Sequence, residues 1–242
     1  MPRPFLTARW KSLVLLNYRC PADLLHPLVP DGTELDHWHG VPLVSLVGFR
    51  FLDTKVGGFR IPGHRSFEEV NLRFYVRREA DDGVQRGVVF IREFVPRSLV
   101  AAAARLLYNE PYQALPMDHT VALSETSGGS ASYSWVHEGS AYSLAATVSG
   151  PAKPLTAGSE AEFITEHYWG YNKQRNGSTL EYRVAHPPWP VWECEEATYS
   201  SPPDSSLYGT GFAEVLEAQP VSAFLAVGSS IEVHVGTRLD TA

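Results

Sequence analysis

Between Phe67 and Arg77 the chain reads FEEVNLRFYVR, which places an acid, an amide, a guanidinium and a phenol at every second position: Glu69, Asn71, Arg73 and Tyr75. A carboxyl group can take or give a proton, a guanidinium grips a carboxylate in a two-pronged fork, and an amide and a phenol orient what lies between them. Val70, Leu72, Phe74 and Val76 fill the alternate positions, so a strand through this segment has one apolar and one polar face. The polar residues face either water or a shared cavity. A solvated face is the plainer reading, but this mixture of groups is also what an interior pocket for a small polar ligand needs. In STLEYRVA, Glu181 and Arg183 alternate with Leu180, Tyr182 and Val184 and make a second acid–guanidinium pair. If both strands face one cavity, burial and opposite charge set which groups are ionised, and one carboxyl becomes a general acid or base.

Other residue patterns carry less. His37 and His39 form an HxH pair near Glu34 and Asp36, yet a metal site needs a third convergent ligand, and no metal is assigned. His119, His167 and His186 stand beside turns or aromatic clusters and read as hydrogen-bonded structural histidines, with Glu166-His167 the strongest of them as chemistry. The six tryptophans read as core before pocket lining. The chain has no GxGxxG, Walker-type GK[ST], GxSxG or HExxH sequence, so nucleotide-binding, serine-hydrolase and zinc-protease readings lose their support. No cofactor is expected.

The elements that must position these residues are mostly strands. VPLVSLVGFRFL from Val41 to Leu52 is a nearly continuous apolar run. The Phe67–Arg77 strand and Gly87–Val95 pair as a hairpin around Asp81-Asp82-Gly83, and Ala131–His137 and Ala141–Val148 flank Glu138-Gly139 in the same way. STLEYRVA and SSIEVHVG supply later strands. After Pro96, SLVAAAARLLY is the strongest helix, ended by Pro111, and Ser159 caps a second helix with Glu162 in the capping-box position. The expected fold is mainly β (α+β): a closed or strongly curved antiparallel barrel of roughly eight to ten strands with a central cavity and two or three short helices. One domain is expected over residues 1–242, with a frayed tail after Arg238.

Composition narrows the partners. At 44% hydrophobic and 19% charged residues the chain is globular rather than disordered. Its 20 Lys and Arg against 27 Asp and Glu give −7, which opposes nucleic acid and anionic membranes. Cys20 and Cys194 have no neighbouring cysteine, and the apolar run Leu13–Leu16 is too short for a signal peptide, so a cytoplasmic chain is expected. A homo-oligomer stays open.

Along nearly its whole length the chain resembles the YqjF-like family of bacterial proteins within the acetoacetate decarboxylase-like superfamily. The resemblance is carried by GTELDHWHG, SLVGFRFLDT, FEEVNLRFYVRR, RGVVFIREFVPR, ARLLYNEPYQALPM, FITEHYWGYNKQRNGSTLEYRVAHPPW and LYGTGFAEVL. It implies a β-barrel or cone-like sheet with a central cavity. Decarboxylases of the superfamily carry a glycine-phenylalanine-proline-lysine-lysine segment whose first lysine forms a Schiff base. Here that segment reads Asn109-Glu110-Pro111-Tyr112-Gln113, and none of Lys11, Lys55, Lys153 and Lys173 stands at its lysine positions. The resemblance therefore implies the pocket without imine chemistry, and it matches Glu69 to the superfamily's cavity glutamate. The expected site has Glu69 as general acid or base, Arg73 as carboxylate clamp and Tyr112 as donor to an oxyanion, with Asn71, Tyr75, Gln113, Glu181 and Arg183 as further ligand contacts. A noncatalytic ligand-binding or sensor module and a partner-binding protein are the alternatives.

Overall fold

The computed structural model of the chain describes residues 3–81, 83–107, 109–202 and 207–239. Strands of three or more residues are numbered along the chain. The first four are long: β1 (Leu6–Arg19), β2 (Val41–Val56), β3 (Phe67–Ala80) and β4 (Gly83–Val95). Helix α1 (Ala22–Leu25) lies between β1 and β2, and α2 (Ser98–Leu107) leads from β4 into the short β5 (Tyr112–Ala114). A meander of β6 (Met117–Ser124), β7 (Gly128–His137) and β8 (Ser140–Ser149) precedes α3 (Glu160–Thr165). Then come β9 (Trp169–Lys173), β10 (Thr179–Ala185), β11 (Val191–Glu193), β12 (Glu196–Ser200), α4 (Thr210–Glu217), β13 (Ser222–Ala226) and β14 (Ser230–Val233).

Seven strands close a barrel in the order β1–β14–β10–β9–β4–β3–β2 and back to β1. Six joints are antiparallel, as expected from the sequence, and the β4–β9 joint is parallel. The chain between those two strands builds a second sheet before it returns, so β9 arrives by a crossover rather than a hairpin. That second sheet, β12–β8–β7–β6, covers part of the outside of the barrel wall.

The covering sheet explains the pattern of β3. Val70, Leu72, Phe74 and Val76 point outward and join Val44 and Leu46 of β2 in a buried layer against Tyr133, Trp135 and Leu144. Phe67, Glu69, Asn71, Arg73 and Tyr75 point into the barrel. Both faces of the wall are buried, which is why β2 reads as a continuous apolar run. Gly48 on β2 allows the two layers to close: a Cβ there would lie 2.7 Å from the Tyr133 ring and 2.9 Å from Leu144. Inside the barrel a separate cluster holds Leu13, Leu15, Val47, Phe49, Phe51 and Phe163.

The hairpins form where the turn residues place them. Glu138 and Gly139 both have positive φ (49° and 78°), as a two-residue hairpin turn of primed type requires. The β3–β4 connection spans positions 81–82, of which Asp82 lies outside the described residues. Ser159 caps α3 by accepting from the Glu162 N–H at 3.2 Å, while Glu162 Oε2 accepts from the Gly158 N–H at 2.7 Å. Among the described residues there are four short α-helices where two or three were expected. Of the expected frayed tail after Arg238, residues 240–242 lie outside the described residues, and Leu239 donates its N–H to the Thr179 carbonyl at 2.9 Å.

Candidate functional site

Inside one end of the barrel is a cavity of about 400 Å³ whose lining includes Glu69, Asn71 and Arg73 from β3. Glu69 is only 3% exposed. Its Oε1 accepts from Asn71 Nδ2 at 3.0 Å and its Oε2 from the Tyr112 hydroxyl at 2.8 Å. Arg73 donates from one terminal nitrogen to the Ile164 carbonyl at 3.3 Å, and its Nε has no hydrogen-bond partner among the described residues. Tyr112 comes from β5, which pairs in parallel with β4 so that Tyr112 stands beside Glu93.

Two further carboxyls meet here that the sequence did not single out. Glu93 lies in the apolar strand GVVFIREFV, and simple alternation would put it on the outer face with Val89 and Ile91. A β-bulge prevents this. Leu72 pairs with Arg92 but Arg73 pairs with Phe90, so Ile91 is extra and the parity of β4 switches. Phe90 and Glu93 therefore both line the cavity. Glu110 follows α2, where Asn109 takes a left-handed φ of 54° and turns the chain inward. Tyr182 on β10 donates to Glu110 Oε1 at 2.8 Å and Asn172 on β9 to Oε2 at 2.8 Å. The Tyr182 ring lies flat over Gly170, where a Cβ would stand 2.1 Å from Cζ of the ring.

Burial dominates the electrostatics. It pushes Glu69 and Glu110 up to about 7 against an ordinary 4.5, even though hydrogen bonds from Asn71 and Tyr112, and from Tyr182 and Asn172, pull the other way. Glu93 lies well above its ordinary value because of burial and then of the neighbouring Glu110 and Glu69. Its Oε2 has no hydrogen-bond partner among the described residues. Burial and the same carboxyls raise the Tyr112 and Tyr182 phenols. The arrangement is a cluster of acids that keeps protons near neutrality, next to one guanidinium and two neutral phenols.

Four residues expected at the site do not line the cavity. Tyr75 lies on the inward face of β3 but at the filled end of the barrel, where it bonds Ser45 and packs on Phe163 and His167 with ring centroids 5.3 and 4.6 Å away. Gln113 follows Tyr112 on β5 and alternates to the opposite face. Glu181 and Arg183 point out of the barrel: Glu181 accepts from Arg78 at 3.2 Å, and Arg183 is exposed. On β10 it is Tyr182 and Val184 that face inward. His167 is buried with Nε2 3.8 Å from Asp36, away from the cavity, and burial lowers it to about 4. Among the described residues no group of three His, Cys, Asp or Glu side chains is arranged to hold a metal ion, and no helix is long and apolar enough to cross a membrane.

Residues 7–230 match the DUF2071 family, described as uncharacterized conserved proteins. The chain belongs to this family. The Bacillus subtilis relative of this DUF2071 chain, uncharacterized protein YqjF, is 26% identical over 193 residues, covering 77% of this chain and 74% of the relative. Among solved structures it is similar to acetoacetate decarboxylase from Legionella pneumophila, with a TM-score of 0.67, 15% identity and coverage of 98% of this chain and 88% of that one. An acetoacetate decarboxylase-like enzyme from Sphingomonas wittichii gives 0.66, 14%, 100% and 95%. The enduracididine biosynthesis enzyme MppR, complexed with the condensation product of pyruvate and imidazole 4-carboxaldehyde, gives 0.69, 13%, 98% and 90%. At these identities the likeness is one of fold, and the fold of this DUF2071 protein is acetoacetate decarboxylase-like.

Proposed function

We propose that this protein binds a small organic acid or related carbonyl compound in the barrel cavity and moves a proton on it without a covalent intermediate. The observation that carries this reading is the convergence of Glu69, Glu93 and Glu110 on one cavity beside Tyr112 and Arg73. Ionised Glu69 is the base that takes a proton from the carbon next to the carbonyl. Negative charge then develops on the carbonyl oxygen, where the protonated Glu93 serves as donor and toward which the Tyr112 hydroxyl turns once Glu69, its partner in the resting site, has taken the proton. Return of the proton from Glu69 to carbon completes an exchange or an isomerisation. Arg73 holds the carboxylate of the ligand. No lysine is among the cavity residues, so an imine has no nucleophile here. MppR, which shares the fold, has been seen complexed with pyruvate, and this supports the choice of carbonyl compounds. The net charge of −7 favours a small-molecule partner over nucleic acid.

The test is proton NMR of keto acids in deuterium oxide with the purified protein. Carbon-bound protons next to the carbonyl are expected to exchange, and Glu69→Gln is expected to slow the exchange by a factor of about 10² to 10⁴. Exchange that is unchanged in Glu69→Gln removes the base from this role. Tight binding with no exchange at all makes the protein a noncatalytic binding module.

A further inference from the structure

The cavity is larger than a keto-acid head group requires. A water molecule occupies roughly 30 Å³ in the liquid, so about 400 Å³ has room for on the order of a dozen heavy atoms. A three-carbon keto acid would leave half of it empty. The acids and phenols are gathered in one part of the lining, because Glu69, Asn71, Tyr112, Glu110 and Tyr182 are joined by hydrogen bonds in two adjoining groups; Thr54 and His64 are the polar residues elsewhere in it.

The rest of the wall is mainly apolar, with a band of aromatic rings set among aliphatic side chains. Phe49 pairs with Glu69 across β2 and β3, and Phe51 pairs with Phe67, two residues or roughly 7 Å further along β3. Phe51 and Phe67 stack at 4.7 Å, and Trp10 meets Phe49 and Phe51 edge-on at 5.2 and 5.8 Å. Beyond Phe67 the cavity reaches Ile61 and Leu99, which are 44% and 67% exposed. The lining thus runs from buried acids, along a band of rings, to an apolar mouth open to solvent.

We propose that the ligand is a carbonyl compound with an apolar or aromatic tail of about six to nine carbons, its head at Glu69, Tyr112 and Arg73 and its tail along Phe49, Phe51 and Phe67 toward Ile61 and Leu99. This rests on the reading of the buried acids as the head-group site. A short keto acid makes only the head contacts, whereas each methylene of a longer chain leaves water for the ring-lined wall. A charged tail would lose its hydration against this mainly apolar wall.

Calorimetric titration with pyruvate, 2-oxohexanoate, 2-oxooctanoate and phenylpyruvate tests this directly. The dissociation constant is expected to tighten about three- to fourfold for each added methylene. Leu99→Trp alters an exposed side chain at the mouth, so the fold is spared, and it is expected to move the preferred length to a shorter chain. Affinity that is flat or falls with length overturns the tail. If pyruvate then still binds and exchanges in a Glu69-dependent way, the head-group site stands alone. Length-dependent binding that ignores both Glu69→Gln and Arg73→Leu overturns the placement of the ligand together with the head-group reading. Failure of every member to bind overturns both.

Discussion

Glu69 is held by two donors and Glu93 by fewer, and this difference separates their roles. The hydroxyl of Tyr112 stabilises the ionised form of Glu69 and so opposes the effect of burial. Removing it in Tyr112→Phe is expected to raise Glu69 above about 7, which moves the acid limb of the exchange rate to higher pH and lowers the rate at neutral pH about tenfold for each unit. A pH profile of exchange for the two proteins checks this, and an acid limb left in place contradicts the Tyr112–Glu69 link. That Glu69, Asn71 and Arg73 share one face was legible in the sequence because period-two alternation is strict along β3, but alternation reads the same for a solvated face and does not say which way it points. The same rule misplaced Glu181 and Arg183, since on β10 the polar face is the outer one, where Arg78 is the partner of Glu181. Glu110 left only the faint signal of an acid between Asn109 and Pro111; its inward turn depends on the left-handed conformation of Asn109, a residue type that permits that turn without requiring it.

At the level of elements, two backbone features position the acids. The bulge at Ile91 brings Glu93 inward, and no local sequence signal shows it, because Val, Phe and Ile fit either face of a strand buried on both sides. The second feature is the close packing of β9 on Tyr182. Gly170→Ala would drive a Cβ into the Tyr182 ring and push its hydroxyl off Glu110. The expected loss is about 1–3 kcal/mol for overpacking, read as a lower midpoint in urea denaturation. A variant as stable as the parent would show that the ring yields without cost. The Glu138-Gly139 hairpin and the Ser159 cap, by contrast, were readable from short motifs whose geometry is local.

The barrel interior holds the buried acids beside an apolar cluster, and the outer face of its wall packs under a second sheet. Strand content indicated closure, but the covering role of β6–β8 and β12 depends on contacts far apart in the chain. Burial of the acids has a consequence for stability. Glu69 and Glu110 are raised from 4.5 to about 7 on folding, so the stability from their retained protons is full below about pH 4.5 and is lost as pH rises through about 7. Buried His167 works the other way: lowered from 6.5 to about 4, its contribution is full above about pH 6.5 and is lost on acidification. A difference measurement separates them. The stability of Glu110→Gln relative to the parent is expected to increase between about pH 5 and pH 8 in thermal denaturation, and a difference that stays constant or falls contradicts the burial of this acid.

The central claim is that three acids share the cavity and keep protons near neutral pH. Carbon-13 NMR titration of the glutamate carboxyls, with Glu69→Gln, Glu93→Gln and Glu110→Gln for assignment, measures this without any ligand. Glu69 and Glu110 are expected to titrate near 7 and Glu93 well above its ordinary value. Three ordinary titrations near 4.5 would contradict the account and remove the acid–base chemistry built on it.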